Sequence, residues 1–470
     1  MGERHVDVAI IGSGSAGLYA LGKVKPAGKS FILINGGEPG TTCARVGCMP
    51  SKAMIQVAED FHRRGVMSRF GIEGMEHLTI DQEEAMEYVQ HMRDNFVDRV
   101  LSNSTDNMSD EVFIEGYAQF VEPNLLEIDN GQKIRADKIV IATGSSPVVP
   151  EQWQQFGDRI LTTDNFFEQE QLPSSVGVIG LSVIGLELGQ SLVRMGVDVT
   201  GFDMANTIGG ISDPDVVKVA IDILGKEIPM HLGAAVEIKE ADDGKLQITS
   251  GDTQVTVDSV LLSIGRKPNL DSLNLEAAEI SLDGNDMPIY NENTMQVGDS
   301  HIFLAGDVNG DRPLLHEAGH DGRVAGYNAT QETPVAFKRN TLLNIAFSDP
   351  NICQVGLRYD QLDQETAVIG EIPLAPVGRA MIMAKNKGLI RVYADKESGK
   401  LLGAEMISVK GENLAHLLAW SIQQEMTVGE MLQMPFYHPV IEEALQAALY
   451  DLYSKIDKKN DTPVTELVKM

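Results

Sequence analysis

Residues 6–17 read VDVAIIGSGSAG, and this stretch decides the fold. Its first half is a short apolar run rich in β-branched side chains, as expected of a strand buried on both faces of a parallel sheet. Gly12, Gly14 and Gly17 then follow in GxGxxG spacing. The first glycine allows a tight turn, the second lets backbone approach a pyrophosphate, and the third permits close helix–strand packing. An apolar helical segment and a second strand, FILIN at 31–35, complete a strand–turn–helix–strand unit. In that context the glycines read as a dinucleotide-binding turn whose helix N-terminus faces the phosphates. One position departs from the pattern. The ribose-binding acid that usually ends the second strand is Asn35 here, whose amide oxygen can accept a hydroxyl proton only without charge assistance.

A second such unit begins with SVGVIGLSVIGLELG at 175–189 and runs to the strand VDVTGFD at 197–203. Its fingerprint is degraded to Gly180, Ser182 and Gly185, with a serine crowding the pyrophosphate or donating its hydroxyl to it. Asp203 ends the following strand, where an acid binds a ribose 2′-hydroxyl and repels a 2′-phosphate. No Arg or Lys lies between 203 and 217, so NAD is favoured over NADP. Two units in 470 residues, at about 150 residues per domain, predict about three domains. The class is α/β: two Rossmann-like dinucleotide-binding domains plus an α+β C-terminal domain. Boundaries are expected at 1–150, 151–270, a central segment 271–340 that completes the first domain, and 341–470. Apolar spacing predicts helices over 50–63 and 83–101, forming a hairpin.

Composition narrows the function. A formal net charge of -30 disfavours nucleic acid and anionic membrane surfaces. The start MGERHVDVAII carries no secretory leader, Met1-Gly2 lacks a myristoylation pattern, and no apolar run spans a bilayer, so a cytoplasmic location is expected. Only three cysteines occur, Cys43, Cys48 and Cys353, too few for a disulfide framework and without the histidine spacing of a metal site, so no metal is expected.

Cys43 and Cys48 lie in TTCARVGCMPSK, residues 41–52. Five residues of ideal helix rise ~7.5 Å, beyond the Cα range of a disulfide, so a bridge there requires a distorted segment that Gly47 could supply. Two buried thiols remain the alternative. Arg45 between them either favours a thiolate or is a solvated loop residue. His438, in PFYHPVIEEAL at 435–445, has Glu443 five residues on. A histidine suits proton transfer in thiol–disulfide exchange, and a carboxylate behind it fixes its tautomer; a His-Pro turn with nearby acids is the plainer reading. Cys353 reads as a buried filler.

These strings, with IVIATGSSP at 139–147, LLSIGRKPN at 261–269 and FLAGDV at 303–308, resemble the pyridine-nucleotide–disulfide oxidoreductase family over nearly the whole chain, and within it the dihydrolipoamide dehydrogenase branch. The resemblance implies that Gly12, Gly14 and Gly17 hold the FAD pyrophosphate, with Asn35, Gly116, Thr143 and Gly144 toward the adenosine half and Asp307 and Leu315 toward the ribitol. It implies Cys43 as the thiol that exchanges with substrate, Cys48 as the thiol facing the flavin, and Lys52 near the flavin N5, paired with Glu187. Gly180, Gly185, Asp203, Val236 and Gly265 match NAD positions. His438 and Glu443 match an acid–base pair delivered by a second subunit, so a homodimer is implied. The implied reaction is oxidation of dihydrolipoamide by NAD+, with lipoamide carried on an acyltransferase lipoyl domain and a basic subunit-binding domain of a 2-oxoacid dehydrogenase complex as a further partner. Arg45 stands where a small polar residue is common, Phe436-Tyr437 replaces a histidine-containing dipeptide, and Val440 stands where threonine is common. The tail TPVTELVKM has no cysteine, unlike the tails of mercuric reductase and high-molecular-weight thioredoxin reductase. Two alternatives stand beside this reading: an NADH-dependent reductase of another small disulfide, and an FAD-binding redox sensor without turnover.

Overall fold

The computed structural model describes residues 3–460 and 464–469. Met1-Gly2, and residues 461–463 and 470 of the tail, lie outside the described residues, and with them the lipidation reading and part of the tail comparison. The chain starts with strand β1 (Arg4–Ile11), helix α1 (Ser15–Val24) and strand β2 (Phe31–Asn35). Helix α2 (Thr42–Arg45) and helix α3 (Cys48–His62) follow, then α4 (Gln82–Ser102). Met54 and Ala58 of α3 pack with Met86 and Val89 of α4 in one buried cluster, the expected hairpin. Strands β3 (Phe113–Glu115), β4 (Ala118–Glu122), β5 (Leu125–Ile128) and β6 (Lys133–Ile141) complete a sheet ordered β3-β2-β1-β6-β5-β4. Its β3, β2, β1 and β6 are parallel, so their central residues are apolar on both faces: Val8, Ala9, Ile10 and Leu33 are fully buried.

The second unit has the same plan. Strand β7 (Ile160–Leu161), β8 (Ser175–Ile179), helix α5 (Val183–Arg194), β9 (Asp198–Asp203) and β10 (Met230–Leu232) precede an antiparallel three-stranded sheet of β11 (Val236–Glu240), β12 (Leu246–Ser250) and β13 (Thr253–Val257). Strand β14 (Ser259–Leu262) then enters the parallel sheet, ordered β10-β9-β8-β14-β7. The chain next returns to the first sheet. Strand β15 (Ile302–Leu304) pairs in parallel with Ile139–Ile141 of β6, and α6 (Leu315–Asn328) packs on α1.

The last portion is an antiparallel sheet, β16 (Leu343–Ala346), β17 (Asn351–Gly356), β18 (Ala367–Pro373), β19 (Leu389–Asp395) and β20 (Leu401–Ser408), in the order β16-β17-β20-β19-β18. Helices α7 (Gly411–Gln423) and α8 (Glu442–Lys455) share its buried cluster, in which Cys353 is completely enclosed. Burial, with the Glu412 charge adding to it, pushes the Cys353 thiol well above its usual range. The α/β class expected from the sequence is the class observed. Among the described residues no helix is long and apolar enough to cross a membrane.

Candidate active site

The first glycine turn owes its shape to two close approaches. Gly12 has φ +107°, and a Cβ there would lie 2.3 Å from the Ala142 carbonyl oxygen at the end of β6. A Cβ on Gly17 would lie 1.9 Å from the Gly12 carbonyl oxygen, so α1 could not seat against the turn. Gly14 differs: it caps α1 in extended conformation and has nothing within 4 Å of its would-be Cβ. The N-terminus of α1 therefore opens onto free space, the fit a pyrophosphate needs. That space is a cavity of about 1240 Å³, larger than the few hundred to 1,000 Å³ typical of drug-sized ligands and suited to an extended dinucleotide.

Gly12 and Gly14 line this cavity together with Asn35, Gly116, Thr143 and Gly144. Asp307 and Leu315 line its other flank, where the N-terminus of α6 also faces it. Asp307 accepts from the Ser145 hydroxyl at 3.1 Å, and Arg266 clasps Ser145 through Nε to the hydroxyl (2.8 Å) and Nη2 to the carbonyl (2.6 Å). Burial raises the Asp307 carboxyl above its usual range, against the lowering pull of Ser145 and Arg266. Ser145 lies in IVIATGSSP and Arg266 in LLSIGRKPN, strings in which the resemblance marks only Thr143, Gly144 and Gly265. Nothing in single-residue spacing shows that residues 121 apart share a hydrogen bond.

Cys43 and Cys48 both reach the same cavity. Thr41 caps α2 by accepting from Ala44 N–H (3.2 Å), and the helix then breaks at Val46 and Gly47 before α3 restarts. A Cβ on Gly47 would sit 3.0 Å from the Thr42 carbonyl oxygen, so the fold-back that brings the cysteines together suits glycine. The distorted segment expected from the spacing is present. Both cysteines are thiols here, with the Cys43 thiol hydrogen-bonded to the Cys48 sulfur. That bond and burial push Cys43 far above its usual range. The bond Cys48 accepts brings its thiol down to about 7 against the opposing effect of burial, with Lys52 assisting.

Two features here differ from the sequence reading. The helix was expected from residue 50, but it starts at Cys48, placing that sulfur at the N-terminus of a 15-residue helix where the macrodipole also favours a thiolate. The principal cation lowering the Cys48 thiol is Lys52, one turn along the same face. Arg45 is half-buried on the cavity wall, with no ion pair among the described residues. Lys52 Nζ donates to Glu187 Oε2 at 2.8 Å and lies over the Phe347 ring, 4.7 Å from its centroid. Glu187 is buried on α5, and its other oxygen accepts from Phe347 N–H at 2.8 Å. Three parts of the chain, α3, α5 and the start of the C-terminal sheet, thus meet at one charge pair.

The second glycine turn stands outside that cavity, which α5 borders through Val183, Ile184, Glu187 and Leu188. Gly180 (φ +92°) and Gly185 repeat the close approaches of Gly12 and Gly17, at 2.4 Å to the Ser263 carbonyl oxygen and 1.9 Å to that of Gly180. Ser182 caps α5 at φ −74°, ψ −165°, close to the φ −71°, ψ −175° of Gly14, and its hydroxyl turns aside to the Ser263 carbonyl at 3.4 Å. The serine therefore keeps the turn's backbone rather than reaching for a phosphate. Asp203 accepts from Leu181 N–H (2.7 Å) and Ala205 N–H (2.8 Å). Gly265, at φ +116°, follows Ser263 beside this turn, whereas Val236 opens β11 in the separate three-stranded sheet.

His438 and Glu443 form the expected pair: His438 Nδ1 lies 2.8 Å from Glu443 Oε1, and Val440 N–H donates to Oε2 at 3.1 Å. The hydrogen bond from His438, reinforced by that of Val440, holds the Glu443 carboxyl below its usual range. With the carboxylate accepting at Nδ1, Nε2 is left free. The imidazole is 81% exposed and lines a different cavity, about 410 Å³, with Ile372, Arg379 and Ile382. His438 and Cys43 line separate cavities of the chain.

Comparison with known proteins agrees with these parts. Residues 6–322 match the family model described as pyridine nucleotide-disulphide oxidoreductase, and residues 343–449 match its dimerisation domain. A dihydrolipoyl dehydrogenase of Haloferax volcanii is 29% identical over 94% of this chain and 95% of its own length. A dihydrolipoyl dehydrogenase of Bacillus subtilis is 28% identical over 94% and 97%, and a mercuric reductase of Staphylococcus aureus 27% identical over 97% and 84%. Among solved structures, the HOCl-induced flavoprotein disulfide reductase RclA of Escherichia coli, as its Cu(II) complex, superposes with TM-score 0.82 at 22% identity, covering 97% of this chain and 100% of that one, a likeness of fold.

Proposed function

The chain belongs to the pyridine nucleotide-disulphide oxidoreductase family, and we propose that it oxidises a dihydrolipoyl-type dithiol with NAD+ through Cys43 and Cys48. Membership makes it an oxidoreductase that uses FAD and a pyridine nucleotide, and the dimerisation domain supports a homodimer. The observation that carries the proposal is the joint placement of Cys43, Cys48, Lys52 and Glu187 in the cavity that starts at Gly12 and Gly14.

In the proposed cycle the partner subunit's His438 takes a proton from a substrate thiol at Nε2, its ring held by Glu443 at Nδ1. The substrate thiolate attacks Cys43 Sγ of the Cys43–Cys48 disulfide. That bond breaks, and Cys48 leaves as a thiolate favoured by Lys52 and the start of α3. The substrate's second thiol, deprotonated in turn, displaces Cys43, closing the substrate disulfide and returning a proton to Cys43. Two electrons then rest on the cysteine pair, as a Cys43 thiol bonded to a Cys48 thiolate. FAD, when bound, accepts such an electron pair and passes it as hydride to a pyridine nucleotide. Glu187 ties Lys52 to α5, so the cation is held where charge collects on Cys48. Gly180, Gly185 and Gly265 would shape the nucleotide site, and Asp203 would favour NAD over NADP by repelling a 2′-phosphate. Val236 is proposed there from resemblance. Gly17 would seat α1, with Gly116, Thr143 and Gly144 along the adenosine half of FAD and Asp307 and Leu315 along the other. The units 1–150 with 271–340, 151–270 and 341–470 would be the FAD, NAD and interface domains. A lipoyl domain and a basic subunit-binding domain are compatible with the net charge of -30.

A second reading, reduction of another disulfide by NADH, is favoured by Arg45, Phe436-Tyr437 and Val440, which differ from the usual residues near the cysteine and histidine. The FAD-loaded dimer is assayed with dihydrolipoamide and NAD+, and with NADH and a panel of disulfides that includes glutathione disulfide. Turnover of dihydrolipoamide with NAD+ well above NADP+ supports the proposal. Turnover of another disulfide without lipoamide activity overturns it in favour of the second reading.

A further inference from the structure

The first nucleotide turn lacks a carboxylate where its counterpart has one. In the second unit Asp203 ends the strand and accepts a backbone N–H from the turn, Leu181; in the first, Asn35 ends the strand and accepts from Ser13 N–H at 3.3 Å. The two residues therefore brace equivalent turns, and only one is charged. The amide of Asn35 does something an acid could not: its Nδ2 donates to the Gly37 carbonyl at 2.6 Å. That bond folds the chain back over Gly36 and Gly37, with Tyr117 packed over Gly36. Glu38 is the next residue. It is exposed, lines the same cavity as Asn35, and makes no hydrogen bond or ion pair among the described residues. The other carboxylates on the cavity wall are held elsewhere or stand away from this end: Glu187 pairs with Lys52, Asp271 with Lys267, Asp307 takes the Ser145 hydroxyl, and Asp164 lies in a short helix of the second unit.

We propose that Glu38 supplies the carboxylate that binds the adenosine ribose hydroxyls of FAD, with Asn35 acting as the brace that presents it. An ionised carboxylate accepts such hydroxyls more strongly than an amide. The inference rests on the first unit holding FAD, but not on the identity of the dithiol substrate.

The test measures FAD dissociation constants on the apo-dimer by flavin fluorescence, with FMN, which lacks the adenosine ribose, as the control ligand. Glu38→Gln is expected to weaken FAD about ten-fold or more while FMN affinity stays within two-fold. Placing Asn35→Glu in that background is expected to return FAD affinity at least in part. A Glu38→Gln dimer that binds FAD within two-fold of wild type, or that loses FMN as much as FAD, overturns the proposal. Wild-type apo-dimer that fails to bind FAD at all overturns the cofactor assignment beneath it as well.

Discussion

At the scale of single residues, the proposed division of labour between the two cysteines turns on which sulfur holds the charge. The interaction of the two thiols raises Cys43 and brings Cys48 down to about 7, with Lys52 favouring charge on Cys48. In the two-electron-reduced, FAD-loaded dimer, Cys48→Ser is expected to abolish the long-wavelength thiolate–flavin charge-transfer absorbance, whereas Cys43→Ser keeps it; anaerobic spectra of the two variants check this. The same absorbance reports the protonation of Cys48. Its value is depressed, so the thiolate is present above a pH of about 7 and lost as pH falls through it. Lys52→Met removes a cation and is expected to move that midpoint upward, while Arg45→Ala moves it less, because Lys52 is the principal cation acting on Cys48. From the sequence the cysteine pair could be read, and from the resemblance the Lys52–Glu187 pair, but not that Lys52 acts on Cys48. Arg45 lies between the cysteines in the string, yet Lys52 is the one a helical turn brings onto the Cys48 face.

At the scale of elements, the two glycine turns show how much a short string can carry. Gly12, Gly14 and Gly17 look alike in the sequence but carry different loads. Gly17 holds α1 against the Gly12 carbonyl, and Gly14 faces the cavity. Gly17→Ala is therefore expected to destabilise the fold itself, by about 1–3 kcal/mol or more from overpacking against backbone, seen as a lower Tm of the apo-protein. Gly14→Ala is expected to leave the apo-protein Tm within a degree or two while weakening FAD, since its Cβ enters only the space the cofactor would need. The parallel strands and their glycine turns were legible because apolar runs and glycine spacing are local signals. The start of α3 was not. No side chain caps it, and the break at Val46 and Gly47 depends on a fold-back that the string GCMPSK does not announce. The Arg266–Ser145–Asp307 chain was out of reach for a different reason: its members are 121 and 162 residues apart in sequence.

At the scale of the whole molecule, the groups of the proposed cycle lie apart within one chain. The cysteines line one cavity and His438 another, which makes sense of a dimerisation domain that carries the histidine. The sequence alone offered His438 and Glu443 as five residues of suggestive spacing; their separation from Cys43 needed the fold. Dimers of Cys43→Ser and of His438→Gln should each lose activity, the histidine variant by about 10²–10⁴-fold. Mixed dimers of the two variants should regain one working site from the intact cysteines of one chain and the intact histidine of the other. Recovery on mixing, against none in either homodimer, checks the assignment of His438 to the partner's site.

The claim beneath all of this is that the Cys43–Cys48 pair stores electrons in exchange with the flavin. Anaerobic reductive titration of the FAD-loaded dimer, beside a Cys43→Ser/Cys48→Ser dimer, measures it. The wild-type protein is predicted to take up twice the electrons per flavin that the double variant takes, one pair on the sulfurs and one on the flavin. Equal uptake by the two proteins would contradict it.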